Sequence, residues 1–127
     1  MADQKSWTEL LEESLPKGSL HMRDRLRDWH VNVDERAKRI ADNLGKFAEI
    51  KDGKLLDFGC GEGGIAVYFA KQGLESWGVD ISGDQLFRTM LRAKENGVAI
   101  KTVKLDSKRV WPENYRMLNL ILSFARM

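Results

Sequence analysis

The chain has 127 residues, 43% of them apolar and 31% charged, which suits one soluble globular domain and not a disordered chain. Its 21 basic and 19 acidic side chains leave a net charge of +2, far from the footprint of a dedicated nucleic-acid binder. The single cysteine, Cys60, excludes an internal disulfide framework and a Cys-rich zinc site. The opening MADQKSWTELLEES lacks the basic start and apolar run of a signal peptide, and Met117–Ala125 is shorter than the roughly 20 residues a membrane helix needs. A reduced, cytoplasmic protein is expected.

Residues 1–52 read as an N-terminal helical segment. Ser6 and Glu9 have the spacing of a capping box, Leu10, Leu11 and Leu15 supply an apolar side, and Pro16-Lys17-Gly18 stops the helix. A second helix is expected from about Leu20 to Trp29, with Leu26 and Trp29 inward. Asn32 and Glu35 repeat the capping-box spacing before Ala37, Ile40, Ala41, Leu44 and Phe47, which follow helical periodicity. The alternation of Arg23, Arg25 and Arg27 with Asp24 and Asp28 reads as a solvated face with local ion pairs.

The pattern changes after Lys51-Asp52-Gly53, and residues 53–127 read as an alternation of strands and helices. Strands are expected at 54–58, 76–81, 99–105 and 118–124 and helices at 63–72 and 82–95. In the first helix Ile65, Ala66 and Phe69 point inward; in the second, Leu86, Met90 and Ala93 share a face behind a Ser82/Gln85 cap. This order implies an α/β fold with a parallel sheet, flanking helices and right-handed crossovers.

The most informative segment is Asp57-Phe58-Gly59-Cys60-Gly61-Glu62-Gly63-Gly64. Glycines between a strand end and a helix start let a ligand approach the backbone, and the helix amino terminus faces it. Asp80, 21 residues after Gly59, ends the second strand, where a carboxylate can accept both hydroxyls of a ribose. Together they point to a nucleoside-bearing cofactor. Gly59, Gly61 and Gly64 match the dinucleotide fingerprint, which makes a nicotinamide-dependent oxidoreductase fragment one reading. Asp57 opposes it, because a carboxylate beside the loop repels a pyrophosphate.

The string LLDFGCGEGG, with Asp57, Gly59, Gly61 and Gly63, resembles the first motif of class I S-adenosylmethionine-dependent methyltransferases, a Rossmann-like family. Gly78-Val79-Asp80-Ile81-Ser82 is similar to its second motif and Leu105-Asp106-Ser107 to its third-strand motif; Trp111-Pro112 and Leu118–Ser123 extend the likeness over roughly residues 53–124. The resemblance implies S-adenosylmethionine as cofactor, held by Asp57, Gly59, Cys60, Gly61, Asp80, Ile81, Asp106 and Ser107. Asp80 takes the ribose, Ile81 packs on adenine, Asp106 accepts from the adenine amino group and Ser107 offers its amide. It also implies methyl transfer to an unassigned acceptor by an unassigned base, without a metal. Two departures stand out. Asn119 replaces the family's usual Asp, and the chain ends where the family's sheet continues. The sheet is therefore expected to be incomplete, with Leu118–Phe124 as an apolar edge open to an oligomer, a partner chain or further C-terminal residues. A non-catalytic, partner-dependent fragment is the alternative to an active enzyme.

The remaining candidates have plainer readings. Cys60 is a small filler of the loop more readily than a nucleophile, and Glu62 is solvated at the helix start, where its charge suits the dipole. His21 and His30 read as surface residues before general bases, and Trp29 as core packing before a wall of the cofactor pocket. From Ala99 onward Lys101, Lys104, Lys108, Arg109, Arg116 and Arg126 outnumber Asp106 and Glu113, which suits an acidic partner or RNA without indicating one.

Overall fold

The computed structural model describes residues 3–47 and 53–106 and the backbone of 121–123. Helices α1 (Trp7–Ser14), α2 (Leu20–Val31) and α3 (Asp34–Gly45) precede an alternating unit. That unit comprises β1 (Lys54–Phe58), α4 (Gly64–Lys71), β2 (Glu75–Asp80), α5 (Gly83–Glu95), β3 (Lys101–Lys104) and β4 (Ile121–Ser123). All strand pairs are parallel and the sheet order is β3-β2-β1-β4. The α/β class, the parallel sheet and the element order expected from the sequence are all present. Of the expected fourth strand, 118–120 and 124 lie outside the described residues, as do Trp111-Pro112.

The two faces of β1 follow from strand alternation. Leu55 packs with Ile65 and Phe69 of α4, whereas Leu56 joins Val79 and Leu105 on the other side. Both leucines are fully buried. Helices α4 and α5 pack on the same part of the sheet and touch each other; α3 lies on α4 and α1 on α5. Helices α4 and α5 therefore cover the sheet, with α3 packed beside α4 and α1 beside α5.

Caps set the helix starts. Ser6 and Glu9 form the expected capping box, Ser19 caps α2 through the Met22 amide, and Ser82 caps α5 through the Gln85 amide. The expected Asn32/Glu35 box does not form. Val33 is the N-cap of α3 with no side-chain bond, and the Asn32 amide instead donates to Asp28. The cap position is taken by a residue that packs into the core: Val33 is buried against Ala37 and Ile65. Phe47 lies beyond the end of α3 and is exposed, and Met90 faces solvent while Leu86 and Ala93 are buried. The helical spacing in the sequence thus runs past the end of α3 and beyond the packed face of α5.

Candidate functional site

The sheet order reverses beside β1, which pairs with β2 on one side and β4 on the other. In open parallel sheets the crevice at the carboxyl ends of such strands is where ligands bind. The glycine loop closes this crevice. Gly59, Gly61 and Gly63 all have positive φ, at 75°, 56° and 78°. At Gly63 an added Cβ would also stand 2.5 Å from Thr89 Cγ2, and at Gly64 it would stand 2.8 Å from Val33 Cγ2. The last two glycines thus serve close packing against α5 and the start of α3.

The loop amides are turned toward protein acceptors. Those of Gly59 and Cys60 donate to the Val79 carbonyl at 2.7 and 3.0 Å, and that of Gly63 to the Cys60 carbonyl at 2.9 Å. The Gly61 amide donates to Asp80 Oδ2 at 2.9 Å, while the Ser82 amide donates to Asp80 Oδ1 at 3.0 Å. One buried carboxylate therefore ties the glycine loop to the turn after β2. Thr89 donates its hydroxyl to the Gly61 carbonyl at 2.9 Å, fixing the loop from the α5 side.

In front of this loop lies a cleft of about 340 Å³. Asp57, Gly59, Cys60, Gly61 and Glu62 form one wall, and Leu26, Trp29 and His30 of α2 with Val33 and Arg36 form the other. Asp57 is fully buried at the end of β1, in register with Gly78 and Ser123. A shallower hollow, bounded by Ile81, Lys104, Leu105 and Asp106, opens at the ends of β2 and β3. Asp80 stands between the two, since its carbonyl accepts from the Leu105 amide at 2.9 Å. The structure thus gathers Asp57, Gly59, Cys60 and Gly61 in one cleft and Ile81 and Asp106 in the adjoining hollow. Ser107 lies outside the described residues.

Several residues behave otherwise than their sequence suggests. Glu62 is not solvated but 3% exposed, because Arg88 Nε reaches both its oxygens at 2.8 and 2.9 Å and Trp7 covers it. Trp29 is not in the core. It is 47% exposed at the cleft rim, with the Arg36 guanidinium 3.6 Å over its ring. Arg23 and Arg27 do more than pair locally: Arg27 pairs with Asp24, but both arginines also pair with Glu12 of α1 and join the first two helices.

Two arginines were not singled out by their sequence context. Arg36 donates to the carbonyls of Trp29 at 2.8 Å and Asn32 at 3.4 Å, satisfying the end of α2. Burial, with Arg39 nearby, lowers its pKa. Arg92 is buried, which pulls its pKa down to about 10 despite the opposing pull of Glu62 and Asp34. A spacing of four between Arg88 and Arg92 places both on one face of α5, and nothing local names their partners. Among the described residues, no helix is long and apolar enough to cross a membrane.

Fold and site together define a Rossmann-like domain with its ligand crevice at the β1 end. Methyltransferase domains match over residues 33–124, well over half of the chain. The chain belongs to that family, as its likeness to class I S-adenosylmethionine-dependent methyltransferases implies. It is 31% identical over 105 residues to ribosomal RNA small subunit methyltransferase C of Shewanella amazonensis, a match covering 80% of this chain and 30% of that protein. Among solved structures, the PH0226 protein of Pyrococcus horikoshii matches with a TM-score of 0.55 and 26% identity, over 68% of this chain and 42% of that one. Magnesium protoporphyrin IX methyltransferase of Synechocystis, with bound SAH, shares the fold with a TM-score of 0.60 at 16% identity, over 91% of this chain and 51% of its own. The chain thus spans under a third of that curated relative and about half of these structures.

Proposed function

We propose that this chain binds S-adenosylmethionine in the cleft and hollow, as the cofactor half of a methyltransferase. The observation that carries the reading is the donor set of the cleft. The amides of Gly59, Cys60 and Gly61 are already committed to Val79 and Asp80, and a buried carboxylate, Asp57, faces the same space. That arrangement suits an ammonium or sulfonium and disfavours a pyrophosphate, which speaks against the nicotinamide alternative. Arg36 supplies the complementary charge across the cleft, and its Nε is buried with no hydrogen-bond partner among the described residues. An amino-acid carboxylate placed there would complete it.

In this reading Asp57, Gly59, Cys60 and Gly61 line the methionine end. Asp80 accepts from the ribose hydroxyls. Ile81, 65% exposed, offers an apolar face to the adenine in the hollow, and Asp106 accepts from its amino group. Ser107, outside the described residues, is assigned the backbone amide that meets the adenine ring. Residues 1–52 act as a cap over the cofactor domain at 53–127, with α2 as its wall. The bound cofactor supplies a methyl on sulfur that is already activated for displacement. What remains for the chain is to hold the acceptor in line and to exclude water. The family indicates transfer, whereas the acceptor and its base lie outside the residues assigned. A single buried cysteine suits a reducing compartment such as the cytoplasm.

Equilibrium dialysis of labelled S-adenosylmethionine tests the assignments. Asp80→Ala should weaken binding by about 1–3 kcal/mol, the scale of lost charge-assisted hydrogen bonds. Asp57→Asn should weaken it less. Unchanged affinity in the Asp80 variant would remove that residue from the site.

A further inference from the structure

Behind the glycine loop lies a buried charged cluster that no cofactor contact requires. Glu62 receives Arg88 Nε at 2.8 and 2.9 Å and the Trp7 indole N–H at 3.4 Å. Arg92, one turn along α5, lays its guanidinium 3.8 Å over the same indole. It also donates to the carbonyls of His30 at 2.9 Å and Glu62 at 3.4 Å. The Trp7 backbone amide donates to Glu95 at 2.9 Å. Trp7 and Arg88 do not line the cleft, yet each touches a residue that does.

A carboxylate this deeply buried must keep its partners, because losing one leaves an uncompensated charge. If α1 departs, the indole leaves both Glu62 and Arg92, and the guanidinium that bridges the Glu62 and His30 carbonyls loses the ring that braces it. We propose that Trp7 and Arg88 are positioning residues. Acting through Glu62 and Arg92, they fix the glycine loop against the end of α2, so that docking of α1 and filling of the cleft are cooperative. Linkage makes the effect reciprocal: a ligand in the cleft tightens α1, and a loosened α1 weakens the ligand. This rests on the cofactor reading for its ligand, but the mechanical tie exists without one.

The test combines calorimetry with S-adenosylhomocysteine and hydrogen exchange on the full chain. In the unaltered chain the ligand should slow exchange across α1, which it does not touch. Arg88→Met should weaken binding about tenfold, within the usual range of coupling between sites, and abolish that slowing. Arg88→Lys should restore most of the affinity. The double variant Glu62→Gln with Arg88→Met leaves no stranded carboxylate and guards against misfolding of the single one. Ligand binding that leaves α1 exchange unchanged, or full affinity in Arg88→Met, overturns the proposal. If the unaltered chain binds no S-adenosylhomocysteine, the cofactor reading fails by itself. The tie is then read in the ligand-free chain, where the double variant should speed exchange at 59–65 relative to β2. Equal exchange there overturns the tie.

Discussion

The two walls of the cleft face each other and are held by opposite means. On the loop side the backbone does the holding: positive φ at three glycines, amides committed to Val79 and Asp80, and a Thr89 hydroxyl on the Gly61 carbonyl. On the helix side, α2 has no buried residue at all. Its place is set by side chains reaching across, with Arg23 and Arg27 on Glu12, Arg36 on the Trp29 carbonyl and Arg92 on that of His30. A wall fixed by its own backbone tolerates little change. One fixed by long charged side chains can shift, since each tie is partly offset by desolvation and lost rotamer freedom.

The largest effect should come from the loop. Gly63→Ala places a Cβ in the left-handed region and 2.5 Å from Thr89, so it should cost about 2–4 kcal/mol in a urea titration, strain and overpacking combined. A loss below about 0.5 kcal/mol would show that α5 yields and that the loop is less rigid than its contacts indicate. On the helix side, Arg36→Ala removes two carbonyl bonds and a cation–π contact, and should cost about 1 kcal/mol. It should also change Trp29 fluorescence and weaken cofactor binding. An effect as large as that of Gly63→Ala would erase the contrast between the walls.

The smallest effect concerns pH. The Arg27 guanidinium, through its hydrogen bond, holds the Glu12 carboxyl below its usual value of 4.5. A carboxyl depressed on folding stabilises the native state above its unfolded pKa and loses that contribution as pH falls through the folded one. The α1–α2 tie should therefore persist above pH 4.5 and loosen below it, seen as faster exchange in α2 than in β1. Glu12→Gln should remove this dependence.

The same contrast decides what could be read before the fold was known. Asp57, the glycines and Asp80 announce themselves because a turn, a strand end and a fixed separation are local properties of the chain. Ser6, Glu9 and Ser82 are legible for the same reason, and the caps they predict are present. Glu62 was not legible, since its burial depends on Trp7, 55 positions away, and on Arg88, 26 positions on. Asn32 carries a good capping signal that Val33 overrides, because burying Val33 against Ile65 and Ala37 outweighs a side-chain cap. Trp29 looks like a core residue by size and spacing, but it sits at a rim, where an arginine covers one ring face and the cleft begins.

Calorimetric titration of the whole chain with S-adenosylhomocysteine, with NADH in parallel, is the most direct test. The cleft described here predicts binding of S-adenosylhomocysteine alone, with a dissociation constant on the order of micromolar. Binding of NADH, or of neither ligand, would contradict it.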